Sequence, residues 1–238
     1  MPRPIVLIPG LGADARLFHR QRAMFGDRLV VPPLLAARSG EDLAAYAGRI
    51  AEAIRDCLSA GSDAPEQRPV LGGISFGGQI ALEASRHVPA HCIAVMSGCP
   101  SPDAIPLRFR LARAAGAPVP NGISKWMLRR LVGVFSARER LAPDDRAVLR
   151  EMAADIDPRE LHRQGAVCSN WRAPFEPSVP VHVLHGRRDW VIPMHAASQP
   201  EVVEDGRHLI NLTHADRVNA WLAACADDVP RALDRAAG

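Results

Sequence analysis

A serine between two glycines is the residue of this sequence best suited to chemistry. Gly73, Ser75 and Gly77 form a Gly-x-Ser-x-Gly motif between the apolar run Val70–Ile74 and a helical stretch, residues 76–87. A serine at a tight turn from strand to helix adopts a strained backbone, and the glycines remove side chains that would clash. Its hydroxyl then stands at a helix N-terminus, where amides favour negative charge. The motif therefore predicts a nucleophilic serine.

The backbone amides of Leu11 and Phe76 are the predicted donors to an oxyanion. A serine nucleophile needs one N–H group from the residue that follows it and one from a loop after an earlier strand. Leu11 lies in the glycine turn after the apolar run Ile5–Ile8. Residues 10–15 of this turn also fit a loose dinucleotide-binding pattern, Gly-x-Gly-x-x-Ala. No acidic residue follows the second apolar run to hold a ribose, so the oxyanion interpretation is favoured.

The predicted acid and base lie far from the serine in sequence. Asp189 follows the apolar run 181–184 by a short turn, and His208 follows the last short run at 202–203. An imidazole can accept the serine proton, while a carboxylate fixes the imidazole tautomer and stabilises the imidazolium. Together with Ser75, these side chains would form a Ser-His-Asp triad for acyl transfer.

Three other side chains compete for these roles. Asp103 also follows a strand, but prolines lead it into a helical region where it is predicted to cap a helix. His214 heads an amphipathic stretch, and His185 ends a buried strand where a structural role is favoured. Asp189 and His208 are therefore the predicted pair, with Asp103 and His214 as the alternatives.

The elements that must position these residues alternate along the chain. Short apolar runs bounded by glycine, proline or polar turns are typical of strands buried on both faces. They occupy Ile5–Ile8, 29–31, Val70–Ile74, Cys92–Met96, 181–184 and 202–203, with amphipathic helical stretches at 41–58, 76–87 and 214–226. This alternation predicts an α/β fold with a mainly parallel sheet of about six strands and helices on both sides.

The alternation stops between residues 101 and 177. Three or four helical patterns follow one another there, one of them with apolar residues at helical spacing between 123 and 134. A helical insert in an α/β chain is typical of a lid or cap. We predict that residues 1–100 and 178–238 form the two parts of one core and that residues 101–177 form an inserted helical cap.

The first half of the predicted cap is basic. Residues 101–140 contain two acids, Asp103 and Glu139, and eight basic residues: Arg108, Arg110, Arg113, Lys125, Arg129, Arg130, Arg138 and Arg140. These cations could meet a carboxylate or phosphate at the pocket mouth, but a solvated helical face is the favoured interpretation. The large apolar residues are predicted to form the core of the cap, where some could line an acyl pocket: Trp126, Met127, Phe135 and Trp171.

Composition and charge limit the remaining classes. The chain of 238 residues is 47% hydrophobic and 23% charged, the balance of a globular protein with a sizeable core. A net charge of +3 is too weak to argue for nucleic acid, and the charge-free stretches are too short to predict a membrane span. Five scattered cysteines without a Cys-x-x-Cys pattern favour free thiols over a zinc site or disulfides. We therefore expect a cytoplasmic protein.

The segments around the predicted site resemble the α/β-hydrolase family. The sequences LIPGLG, PVHVLHGRRDWVIP and GRHL are similar to the family's oxyanion, acid and histidine loops. The resemblance covers about residues 4–100 and 178–226, and the order serine, aspartate, histidine is also the family's. Pro9 and Ile74 stand where histidine is common in the family, which leaves the subfamily open.

The resemblance implies two-step acyl transfer on Ser75, which needs no metal or organic cofactor. We expect a serine hydrolase that cleaves an ester or thioester of a small to medium acyl substrate. The alternatives are an acyltransferase, a carbon–carbon hydrolase or a lyase with the same residues, or a non-catalytic binding protein, because a fold does not determine a function. The oligomeric state and the natural substrate are not predicted.

Overall fold

A parallel sheet of six strands runs through the protein. The computed structural model describes residues 2–61, 67–106, 125–171, 176–194 and 199–227. The strands are β1 (Ile5–Ile8), β2 (Leu29–Val30), β3 (Val70–Ile74), β4 (Cys92–Met96), β5 (Val181–Gly186) and β6 (Glu201–Val203). Their order is β2-β1-β3-β4-β5-β6, and every neighbouring pair is parallel. The prediction of a parallel sheet of about six strands is confirmed.

The strand order determines where a ligand crevice can form. From β1 the chain first adds β2 on one side and then β3 on the other. The loops that leave β1 and β3 therefore diverge, and open α/β sheets bind ligands in the crevice at such a point. Register places Ile8 beside Gly73, so these two loops start at the same level of the carboxyl edge.

Helices cover both faces of the sheet. They are α1 (His19–Phe25), α2 (Leu43–Gly61), α3 (Phe76–Ala84), α4 (Lys125–Glu139), α5 (Pro143–Asp155), α6 (Pro158–Ser169), α7 (Ile210–Thr213) and α8 (Ala215–Ala226). Alternate side chains of β1 point to opposite layers, because successive strand residues face opposite ways. Val6 and Ile8 pack in the cluster that contains residues of α2 and α3, while Ile5 and Leu7 pack with residues of α1 and α8.

The helices α4, α5 and α6 separate β4 from β5 in the chain, as the sequence predicts. Residues 125–171 contain these three helices, and we call them the helical segment. Its far end is fixed to α3, where Trp171 donates from Nε1 to Glu83 Oε1 at 2.7 Å and Cys168 Sγ lies 3.1 Å from Gln79 Oε1. That the segment forms a cap stays a prediction.

In the part of the chain that the structure describes, no helix has the length and apolar composition needed to cross a bilayer.

The predicted basic face is described only in part. Its members on and just after α4 are exposed, as a solvated face requires: Arg129, Arg130, Arg138 and Arg140. Arg108, Arg110, Arg113 and the side chain of Lys125 lie outside the described residues, as do the side chains of Trp126 and Met127. Trp171 is buried, as predicted for core, and Phe135 is half-buried.

Candidate active site

Ser75 forms the sharp turn between β3 and α3. Its backbone has φ 56° and ψ −120°, a conformation that side-chain-bearing residues rarely adopt. Ser75 N donates to Met96 O at 2.9 Å, and Gly78 N donates to Ser75 O at 3.1 Å, so both sides of the turn are tied down. The turn stands at the N-terminus of α3, where unpaired N–H groups favour an anion.

The flanking glycines allow this turn to pack against β1. A Cβ at Gly77 would lie 2.0 Å from Ile8 O, and a Cβ at Gly73 would lie 2.4 Å from the carbonyl carbon of Gly77. Backbone atoms at these distances cannot move aside cheaply. The sequence interpretation of the motif, that its glycines remove clashing side chains, agrees with this geometry.

The loop after β1 passes beside Ser75. A Cβ at Gly10 would lie 3.6 Å from Ser75 Cβ. Gly12 N donates to Gln164 Oε1 of α6 at 3.2 Å, and Ala13 N donates to Gly10 O at 3.1 Å. Two of the loop's N–H groups are thus engaged elsewhere, whereas Leu11, which lies between Gly10 and Gly12, stays the predicted donor to an oxyanion.

The second predicted donor, Phe76 N–H, is the first amide of α3. The first N–H groups of a helix have no acceptor within that helix. The Phe76 side chain is buried and stacks on Tyr46, with 5.9 Å between ring centroids. This packing holds the residue that follows the serine in place while leaving its amide at the helix end.

Asp189 and His208 form a hydrogen-bonded pair in the loops after β5 and β6. Nδ1 of His208 lies 2.8 Å from Oδ2 of Asp189. Because an ionised carboxylate only accepts hydrogen bonds, Nδ1 carries a proton, and in the neutral imidazole the lone pair is then on Nε2. This is the tautomer in which an imidazole can accept a proton from a serine. Both side chains are buried.

Backbone hydrogen bonds hold the acid loop in shape. Oδ1 of Asp189 accepts from Val191 N at 2.9 Å and from Ile192 N at 2.8 Å. Arg187 N donates to Val203 O at 2.9 Å, and Arg188 N donates to Gly206 O at 2.8 Å. The last two bonds join the acid loop to the segment that leads into the histidine loop, so the two loops are fixed to each other.

His185 supports Asp189, a contact that the sequence did not predict specifically. Its Nε2 lies 2.8 Å from Ile192 O and 3.4 Å from Asp189 Oδ2. Burial of the Asp189 carboxyl would raise its pKa, but hydrogen bonds from His185 and His208 outweigh burial and lower the pKa to about 2. The carboxylate is therefore ionised at neutral pH. The four-residue spacing from His185 to Asp189 did not indicate this contact, because such a spacing joins side chains on a helix and His185 lies in a strand.

We expect Asp189 to make stability depend on pH in the acid range. Its pKa lies below the ordinary value of 3.8, so its stabilisation is complete above about pH 4 and is lost as pH falls through about 2. This shift corresponds to about 2 kcal/mol. Between about pH 5 and pH 2 the free energy of unfolding, measured with urea, should fall by about 2 kcal/mol more in the wild type than in Asp189→Asn. Equal losses in the two proteins would contradict this interpretation.

The structure thus brings Asp189 and His208 into contact and places Ser75 at the same edge of the sheet. Ser75 follows β3, and the acid loop follows β5, with β4 between them. The two alternatives have other surroundings. His214 Nε2 contacts Asp205 Oδ1 at 3.0 Å, and Asp103 is exposed in a short 3-10 turn, Pro102–Ala104. The helix that Asp103 was predicted to cap, around Leu107, lies outside the described residues.

A cavity of about 400 Å³ lies elsewhere, between the loop at 38–41 and α6. None of the predicted site residues lines it: its walls are Arg38, Ser39, Gly40, Glu41, His162, Arg163, Ala166, Val167 and Asn170. Across the described ranges, no group of three or more histidine, cysteine, aspartate or glutamate side chains could hold a metal ion.

Solved structures similar to this one have related folds but distant sequences. A thermophilic esterase from Thermogutta terrifontis is 21% identical with a TM-score of 0.65, over 94% of this chain and 90% of that one. MenH from S. aureus is 16% identical with a TM-score of 0.70, over 95% and 94%. An epoxide hydrolase from Bacillus megaterium is 14% identical with a TM-score of 0.68, over 95% and 94%. At these identities the likeness shows the fold alone.

The family is shown by the sequence itself. No curated protein matches the chain. A model of the alpha/beta hydrolase family matches residues 5–221, which include both loops of the acid–histidine pair and the Gly-x-Ser-x-Gly turn. The chain is therefore an enzyme of the alpha/beta hydrolase family.

Proposed function

We propose that the protein is a serine hydrolase that cleaves a carboxylic ester or thioester through an acyl-enzyme on Ser75. The observation that carries the proposal is the strained turn at Ser75, φ 56°, at the edge of the sheet that also bears the Asp189–His208 pair. Strain of this kind persists where the surrounding structure over-determines it, and it clusters at active sites.

In the first half of the reaction Ser75 is acylated. Its Oγ attacks the carbonyl carbon while its proton passes to Nε2 of His208, whose Nδ1–H stays bonded to Asp189. The oxyanion accepts hydrogen bonds from the amides of Leu11 and Phe76. When the tetrahedral intermediate collapses, the bond to the alcohol or thiol breaks, and the leaving group takes the proton from His208.

In the second half water releases the acyl group. Nε2 of His208 accepts a proton from the attacking water, and the same two amides hold the second oxyanion. The bond to Ser75 Oγ then breaks, Oγ recovers the proton from His208, and the carboxylic acid leaves. The cycle consumes one water molecule and needs no cofactor.

The chemistry of a serine nucleophile favours a carbonyl substrate over an epoxide, the substrate class of one similar structure. Attack of Ser75 on an epoxide carbon would leave an ether on the enzyme, and water does not hydrolyse an ether near neutral pH. Attack on an ester leaves an ester, which the second half of the reaction can hydrolyse. Turnover through a covalent intermediate on Ser75 therefore requires an acyl substrate.

We further propose that the helical segment, within residues 101–177, caps this site over a core formed by residues 1–100 and 178–238. The oxyanion loop touches the segment directly, because a Cβ at Gly12 would lie 2.7 Å from Leu161 Cδ1. The rings of Phe135 in α4 and His208 are arranged edge-to-face, with 6.5 Å between ring centroids. Leu11 is 41% exposed beside the serine. These apolar side chains favour an apolar acyl group of small to medium size.

A panel of substrates tests the proposed reaction. We expect hydrolysis of p-nitrophenyl esters or acyl thioesters, with the highest kcat/KM at short or medium acyl length, and no opening of an epoxide. Replacing His208 with alanine should abolish this turnover, whereas the matched variant His214→Ala should leave kcat unchanged within about twofold, because His214 pairs with Asp205 instead. Epoxide opening without ester or thioester hydrolysis would contradict the proposal.

A further inference from the structure

Glu139, the last residue of α4, is a buried carboxylate that contacts both loops of the acid–histidine pair. It is 1% exposed. Its Oε1 accepts a hydrogen bond from Trp190 Nε1 at 2.6 Å, and its Oε2 accepts one from Leu209 N at 2.8 Å. Trp190 directly follows Asp189, and Leu209 directly follows His208. One side chain of the helical segment therefore holds the acid loop and the histidine loop together.

Further contacts fix the C-terminal end of α4 against the same loops. The Trp190 ring lies 5.5 Å from the Phe135 ring, and the guanidinium carbon of Arg138 lies 4.3 Å from the Trp190 ring centroid. Phe135 is also edge-to-face with His208. Arg207, which precedes His208, donates from Nη1 to Arg138 O. The two loops thus meet one end of one helix.

Helix stability alone does not explain a carboxylate at this position. The C-terminus of a helix carries partial negative charge, so an acidic side chain there is unfavourable. Burial of a charge adds a cost that only good hydrogen bonds offset. Glu139 meets two N–H donors from different loops, and each donor takes one of its two oxygens. A glutamine has one acceptor oxygen and could satisfy only one of them.

We propose that Glu139 is a positioning residue that fixes the Asp189–His208 pair relative to the helical segment and hence relative to Ser75. It acts only through Trp190 and Leu209 and does not touch the substrate. Its effect on rate rests on the proposed function, whereas its effect on the geometry of the pair does not.

The activity test compares Glu139→Ala with Glu139→Gln. Displacing a catalytic group by about 1 Å costs about 100-fold, so Glu139→Ala should lower kcat by about 10- to 100-fold with KM changed by less than about threefold. Glu139→Gln keeps one of the two hydrogen bonds, so its loss in log kcat should be at most half of the loss in Glu139→Ala. Trp190→Phe removes the Nε1 donor and keeps an aromatic ring, so its loss of kcat should resemble that of Glu139→Gln.

Asp145 provides the matched control. It is a second buried carboxylate of the helical segment, 2% exposed, but it contacts Arg20 and His19 rather than the acid or histidine loop. Asp145→Ala should lower the free energy of unfolding while leaving kcat unchanged within about twofold. An equal loss of kcat in Asp145→Ala would mean that Glu139 acts only through general stability and would overturn the inference.

A spectroscopic measurement decides the point without any substrate. The Nδ1 proton of His208, held by Asp189, should give a strongly deshielded proton resonance that is absent in His208→Ala. We expect this resonance to be lost or shifted in Glu139→Ala, shifted less in Glu139→Gln, and unchanged in Asp145→Ala. If the wild type hydrolysed neither esters nor thioesters, the proposed function would fail, but the resonance would still test the role of Glu139. An unchanged resonance in both Glu139 variants would overturn the inference.

Discussion

Replacing Ser75 with alanine is expected to lower kcat by about 10⁶-fold and to leave the protein folded. Alanine removes only the hydroxyl that attacks the substrate. The oxyanion loop, the acid–histidine pair and the packing of Gly77 on β1 involve other atoms, so they remain. The measurement is kcat on the best ester of the panel, with a urea unfolding curve for each protein. A variant that kept about a tenth of the wild-type activity would rule out Ser75 as the nucleophile.

A glycine at the same position separates the chemistry of Ser75 from its strain. Alanine keeps the Cβ that makes φ 56° unfavourable, whereas glycine adopts this conformation readily. Both variants should be inactive, but Ser75→Gly should be more stable than Ser75→Ala by about 1 kcal/mol. Equal stability of the two variants would mean that the strain is no larger than the entropy that glycine loses on folding.

Replacing Asp189 with asparagine is expected to lower kcat by about 10⁴-fold. Asp189 Oδ2 accepts a hydrogen bond from Nδ1–H of His208 and so keeps the lone pair on Nε2. An amide can present its NH₂ group instead and stabilise the other tautomer, in which Nε2 is protonated and cannot act as a base. The loss should appear in kcat at saturating substrate, with circular dichroism to verify that the variant is folded.

The matched change is Asp103→Asn, since Asp103 is the alternative acid that the sequence leaves open. Asp103 is exposed and lies on the short 3-10 turn Pro102–Ala104 after β4, whereas Asp189 is hydrogen-bonded to His208. The variant Asp103→Asn should lower kcat by less than about tenfold. A large loss at Asp103 with near-normal activity at Asp189 would move the acid to the loop after β4.

The sheet could be predicted from the sequence because each buried strand is a short apolar run. All six runs are strands: β1, β3 and β4 match their runs, and the ends of β2, β5 and β6 shift by one or two residues, as β5 shows by continuing to Gly186. The tight turn at Ser75 was predictable for a similar reason, since Gly73 and Gly77 mark a close backbone approach. The pairing of Asp189 with His208 followed from their places after successive strands at one edge.

Helices whose apolar residues show no regular spacing could not be predicted from the sequence. The helix α1 has the sequence HRQRAMF, and one of its two buried residues is Gln21, which donates to Asn211 O and Asn219 Oδ1. The contacts of Glu139 join residues 51 and 70 positions apart. Such contacts depend on how the helical segment packs, and a single side chain leaves no spacing pattern that would indicate its partners.

Covalent labelling tests the central claim, that Ser75 is the nucleophile, most directly. The wild-type protein would be incubated with a fluorophosphonate, digested, and its peptides analysed by mass spectrometry. The account predicts one phosphonyl group per chain, on Ser75, with no label on Ser75→Ala and much slower labelling of His208→Ala, because the hydroxyl needs a base to become nucleophilic. Labelling of another residue, or undiminished labelling of Ser75→Ala, would contradict it.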